Sequence, residues 1–105
     1  MTDSLFDYLA VLWLRDHAAE IPLVTTIPDI IEMLPDEIPR TRRLTTSTVP
    51  GFLKDELHAT KHPMQVRLSD HRKVYVWVLH GHYSSDFTGH QYATMYENYA
   101  KKKIA

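Results

Sequence analysis

An α+β fold is what this sequence predicts: a three-helix core, a β-hairpin and an extra C-terminal helix. Three observations carry it. Apolar residues recur at helical spacing in three stretches ahead of Pro63, each opened by a capping residue or a proline. The segments Met64 to Leu68 and Val74 to Leu79 are strand-like and flank a polar turn. A last stripe, Tyr92, Met95, Tyr96 and Tyr99, returns to helical spacing. At 105 residues the chain has the size of one domain, with the core and hairpin over about residues 4–80 and the final helix over about 89–103.

The first helix is capped by Asp3 or Ser4, whose side chains can accept a hydrogen bond from an unpaired first-turn amide. Leu5, Leu9, Leu12 and Trp13, with Phe6 and Ala10 beside them, form its expected buried face, and Arg15, Asp16 and Glu20 its wet side. Leu23 to Thr25 follow Pro22 as a short extended piece. Thr26 then opens a second helix with Pro28 in its first turn, where a missing N–H costs nothing. Asp29 and Glu32 suit its positive end, and Pro35 stops it. The third helix is expected to start at Ser47 or Thr48, with Pro50 just inside. Val49, Phe52, Leu53 and Leu57 form its buried stripe, and Pro63 ends it.

The hairpin turns through Ser69 to Lys73, which gives it a basic tip. After a loop at residues 81–89 the last helix finishes in Lys101, Lys102 and Lys103, where cations meet the negative end of the dipole. Trp13 and Trp77 are assigned to the core.

Charge is segregated along the chain. Residues 1–39 hold one base, Arg15, against eight acids, a formal charge of −7, whereas residues 40–73 hold eight bases against three acids, a charge of +5. The whole-chain value of −1 conceals this. A concentrated positive field beside an acidic one selects polyanions or a charge-complementary protein. The sequence has no cysteine, so thiolate zinc sites, disulfides and cysteine nucleophiles are excluded. The apolar run Tyr8 to Leu14 is too short to span a bilayer and is preceded by acids, so a soluble, cytoplasmic protein with no membrane partner is expected.

The order helix, short strand, helix, helix, hairpin, extra helix resembles the winged helix-turn-helix superfamily over roughly residues 4–80. The resemblance rests on element order. It implies a fold in which the third helix enters the major groove of duplex DNA and the hairpin, the wing, lies along the neighbouring backbone. Carried onto this chain, it implies groove-facing positions at Thr48, Gly51, Lys54, Asp55, His58 and Lys61, with Arg67, Arg72 and Lys73 on the wing. On a helix Lys54, His58 and Lys61 share one face. Arg40, Arg42 and Arg43 sit with Thr41, Thr45 and Thr46 in a proline-flanked loop and read as phosphate clamps, because a guanidinium donates to two oxygens at once. The small size resembles compact regulators of transcription or replication in phages and mobile elements. A homodimer through Tyr92, Tyr96 and Tyr99 is expected to complete it.

Other readings come from the same residues. A protein-interaction module on the same fold would dock through Asp29, Glu32, Asp36 and Glu37 on one side and Arg40 to Arg43 on the other, and could inhibit a nucleic-acid-processing protein. His80 and His82, with Asp86 or His90, or else His58 and His62, have spacings that suit two zinc ligands, but histidines at strand and helix ends are commonly plain polar residues. No metal and no cofactor is expected. Glycine-rich phosphate loops, nucleophile elbows and paired carboxylates are missing, so no enzyme is expected either. A metal-independent nuclease using His80, His82, Tyr83 or Lys73 is the remaining catalytic alternative.

Overall fold

The computed structural model describes the backbone of residues 2–104 and the side chains of residues 5–99. It has four α-helices, α1 (Thr2–Asp16), α2 (Ile27–Met33), α3 (Val49–Glu56) and α4 (Gly89–Ile104), and five two-residue strands, β1 (Val24–Thr25), β2 (Thr60–Lys61), β3 (Val66–Arg67), β4 (Lys73–Val74) and β5 (Trp77–Val78). A 3₁₀ turn, Ala18–Glu20, follows α1, and a π-helical turn, Leu44–Thr48, leads into α3. The α+β class expected from the sequence is present.

The strands make two antiparallel ladders. One has the order β1-β5-β2, with Val24 opposite Val78 and Lys61 opposite Trp77. The other is the hairpin β3-β4, with Val66 opposite Val74 and Arg67 opposite Lys73. The predicted hairpin is therefore present, its tip closed by bonds from the Leu68 N–H to the Arg72 carbonyl and from the His71 N–H back to Leu68. β2 and β3 are separated at Pro63, which has no N–H to give a ladder.

Strand alternation explains why the run Val74 to Leu79 is apolar throughout. Trp77 and Leu79 face a cluster built by the first three helices, with Leu14, Ile30, Leu44, Phe52 and Leu53. Val76 and Val78 belong to a second cluster, with Val24, Val66, Tyr92 and Ala93, under α4. A strand buried on both faces cannot alternate apolar with polar. Gly89 starts α4 where a Cβ would lie 3.2 Å from Val66 Cγ1, so a side chain there would push on Val66 by a few tenths of an ångström.

Four expectations are corrected. On α1 the inward face is Asp7, Ala10 and Leu14, while Leu5, Tyr8 and Leu9 are exposed. The helix carries two apolar stripes, and the one with the small Ala10 and the acid that meets Arg43 turns inward. α1 also begins ahead of Asp3 and Ser4, whose side chains, like those of Lys101 to Lys103, lie outside the described part. Second, helical backbone begins at Arg42, not after Ser47 or Thr48, and Thr41 acts as the cap: its hydroxyl accepts the Leu44 N–H at 3.1 Å. Pro50 thus falls inside a helix, where it cannot donate and its ring crowds the carbonyl four residues back. The turn before it widens, and the Val49 N–H reaches the Leu44 carbonyl five residues back.

Third, α3 stops at Glu56 and not at Pro63. His58 enters the left-handed region at φ 50°, and the Ala59 N–H folds back onto the Leu53 carbonyl. The expected stripe Val49, Phe52, Leu53 and Leu57 is nevertheless buried. Fourth, the tyrosines of α4 serve the interior. Tyr92 is 1% exposed, and its hydroxyl accepts the Ser84 N–H and donates to the Ser84 carbonyl. Tyr96 donates to Asp29, and Tyr99 packs partly buried on the cluster under α4. Of the three rings expected at a dimer seam, Tyr92 presents no surface to a second copy, and Tyr96 and Tyr99 are half-buried.

Burial, together with donation of its proton to the Asp29 carboxylate, pushes the Tyr96 phenol up to about 12. The protonated form is favoured by folding, so this contribution is whole below the ordinary tyrosine value near 10 and is lost as pH rises towards about 12. Tyr96→Phe is expected to lower stability at neutral pH by about 1 kcal/mol. Urea midpoints measured across pH 9 to 12 should also show a shallower alkaline decline in the variant than in the wild type.

Candidate functional site

Of the ten residues expected to bind an anion, the eight lysines and arginines separate into three groups. Lys54, Lys61 and Lys73 come from α3, β2 and β4 and line one cleft of about 550 Å³. The cleft lies between the π-helical turn with the start of α2 on one side and the strands leading to the hairpin tip on the other. Thr45 and Thr46 stand on its rim, and Ile27, Pro28, Pro50 and Trp77 supply apolar wall. Among the described residues that line it, none carries a carboxylate.

Two of the lysines lie over rings. Lys61 Nζ sits 4.1 Å from the centroid of Tyr75, and Lys54 Nζ 5.8 Å from that of Trp77. A cation over an aromatic face is attracted by the ring quadrupole, which localises a side chain that would otherwise sweep through solvent. The helical spacing assigned to Lys54, His58 and Lys61 does not exist, because α3 has ended before His58. Lys61 reaches the cleft from a strand, and His58 is exposed beyond the helix end. Thr48 is half-buried within the π-helical turn and not at a groove-facing start.

A second group serves the fold. Arg40 donates from Nη1 to the carbonyls of Pro35 and Ile38, each at 2.7 Å, and from Nη2 to that of Leu34 at 2.6 Å. It closes the loop after α2 by satisfying carbonyls that the helix end leaves unpaired. Arg43 places Nε 3.1 Å from Asp7 Oδ2, an ion pair without the alignment of a hydrogen bond, since that oxygen has no hydrogen-bond partner among the described residues. Arg72 turns onto Asp70, Nε to Oδ2 at 2.7 Å. The backbone N–H and then the guanidinium of Arg72 hold the Asp70 carboxyl below its usual range, and Arg72 is raised in return.

A third group remains exposed elsewhere. Arg42 lies in the first helical turn, where a cation is disfavoured by the dipole, and has no packing role in the side-chain contacts described. Arg67 lines a different cleft, against α4, with Ser69, His71, His90 and Glu97. Of the two acids on α3, Glu56 is taken by Arg15, Nε to Oε1 at 2.5 Å and Nη2 to Oε2 at 3.1 Å, which also raises Arg15. Asp55 is exposed.

The acidic surface divides likewise. Asp29 is engaged by Tyr96 and has its own N–H on the Thr26 hydroxyl, whereas Glu32, Asp36 and Glu37 are exposed. Among the described residues no three histidines or carboxylates are grouped to hold a metal ion. His62 belongs to an aromatic cluster, its Nδ1 3.3 Å from the Tyr83 hydroxyl and its ring 5.5 Å from that of Tyr92. Tyr83 stacks on Tyr92 at 5.5 Å. No helix is long and apolar enough to cross a membrane among the described residues.

Gln65 and Tyr75 also line the cleft, and neither is singled out by the sequence pattern. The signal for Tyr75 is its alternation with Lys73 and Trp77, which places all three on one side of the strand. No protein-family model matches this chain, and neither a curated protein nor a solved structure matches it.

Because Arg40 is anchored by three carbonyls and Arg42 by none, their substitutions should diverge. Arg40→Ala is expected to cost about 1–2 kcal/mol, and Arg42→Ala to stay within about 0.5 kcal/mol. Urea unfolding followed by tryptophan fluorescence checks both.

Proposed function

We propose that this chain is a winged-helix domain that binds duplex DNA as a small regulator of transcription or replication. The observation that carries the reading is the convergence of Lys54, Lys61 and Lys73, from helix, strand and wing, on a cleft free of acids among its described lining. Phosphate binding needs fixed cations on a surface that does not also repel. Glu56, the acid that would oppose it at the end of α3, is already paired with Arg15.

The winged-helix reading draws support from topology as well as element order. The strand between α1 and α2 pairs with the last strand, which in turn pairs with the first strand after α3, and the two post-helical strands continue into a hairpin. In winged-helix domains strands so connected lead into the wing that flanks the third helix. With the early start at Arg42, the exposed Arg42, Thr45 and Thr46 occupy the N-terminal turns of that helix, the part that reaches base edges in such domains. Lys54, Lys61 and Lys73 then flank it on the backbone.

The alternative of a protein-interaction module has its own support in the exposed Glu32, Asp36 and Glu37 and in the exposed Leu5, Tyr8 and Leu9 of α1. A salt titration separates the two. Wild-type protein on a random-sequence duplex is expected to give a log affinity against log salt slope of about −4 to −6. The K54Q/K61Q/K73Q variant should lose about 3 from that slope, near 0.9 per contact. No binding by the wild type at low salt, or an unchanged slope in the variant, would remove DNA binding through this cleft.

A further inference from the structure

We infer that the cleft between the third helix and the wing takes an unpaired nucleotide, its base against Tyr75 and its phosphate among Lys54, Lys61 and Lys73. The inference rests on the nucleic-acid reading of the same cleft and goes beyond it, because contacts to a duplex backbone require cations but no ring.

Tyr75 is the anomaly that starts the argument. In the run Val76 to Leu79 every side chain is buried, yet Tyr75 keeps 43% of its surface exposed. Its position in the strand calls for no exposed ring, since a β-branched residue would suit a pleated surface equally. The Lys61 ammonium lies 4.1 Å from the ring centroid, which accounts for one face of the ring. The residue nevertheless lines the cleft, beside two further lysines and against apolar wall from Ile27, Pro28 and Pro50. A flat base is the group that suits both surfaces: every base has a π-face to stack, and aromatic rings interleaved with cations are how unpaired strands are held.

Polar groups for a base edge are also present. Pro50 has no N–H to give the Thr46 carbonyl four residues back, and Thr45 and Thr46 both line the cleft. Base edges present donors and acceptors together, and a hydroxyl beside a carbonyl answers both. The cleft volume of about 550 Å³ lies within the range of sites that hold one small ligand. The nucleotide can come from a strand, at a bulge, mismatch or junction, or be a free mononucleotide.

Fluorescence anisotropy at one salt concentration tests this with a paired duplex, the same duplex carrying a single-thymidine bulge, and a version with an abasic bulge. The wild type should bind the thymidine bulge at least about 5-fold tighter than the paired duplex, the low end of what one stacked base contributes. The abasic bulge should lose that gain. Tyr75→Ala should bind the bulged and paired duplexes equally, whatever its affinity for the paired one, and Tyr75→Phe should retain the gain, which separates loss of the ring from loss of fold. Thymidine monophosphate that abolishes the gain identifies a free nucleotide as an accepted occupant, and one that leaves the gain intact assigns the site to a nucleotide within a strand. Equal affinity for paired and bulged duplex, or a gain that survives in Tyr75→Ala, overturns the inference while leaving duplex binding in place. Failure of the wild type to bind any of the three probes overturns the nucleic-acid reading along with it.

Discussion

The burial of one strand on both faces is the constraint on which the rest of this molecule depends. β5 and the residues beside it send Trp77 and Leu79 into the helical cluster and Val76 and Val78 into the cluster under α4. That segment is the wall the two clusters share. The same strand is the centre of the three-stranded ladder, so it also fixes where β1 and β2 lie and therefore where Lys61 emerges. Tyr75 and Lys73 are the continuation of this strand past the edge of the packed region. The cleft is thus the place where a two-sided core runs out of helix to cover it.

The entry into α3 is the second determinant, and it is a compromise between a cap and a proline. Thr41 starts the helix, Arg40 ties down the loop before it, and Pro50 then prevents regular hydrogen bonding one turn later. Widening the turn at Leu44–Thr48 keeps the helix continuous and Leu44 in the core. A regular helix would rotate the residues ahead of Pro50 by a fraction of a turn relative to Phe52 and Leu53. Thr45 and Thr46 owe their place on the cleft rim to that irregularity.

Much of the fold was legible because its signals are local. The buried stripe of α3, the Thr26 cap with Pro28, the hairpin and the last helix all rest on spacing within a few residues. The start of α3 was not, since Ser47-Thr48 ahead of a proline is the stronger local cap, and only the tertiary placement of Leu44 makes Thr41 the real one. The buried face of α1 was ambiguous for a similar reason: Leu5, Leu9 and Leu12 make a more apolar stripe than Asp7, Ala10 and Leu14, yet the latter three are the buried ones. In the candidate site, charge segregation pointed to the third of the chain that supplies Lys54, Lys61 and Lys73. It could not show that Arg40 is consumed by carbonyls, or that Lys61 arrives from a strand.

The pairing of Val24 with Val78 sets how this chain must assemble. Bringing these residues together closes a loop of about fifty residues, an entropic cost on the order of 3.5 kcal/mol before any contact rewards it. Local helices form quickly, but the ladder that seats them is non-local, and such topologies fold slowly for their size. Until β5 docks, α1, α2 and α3 share a cluster open along the side that Trp77 and Leu79 later close. The strand that comes last in the chain thus seats between two that have no ladder partner without it.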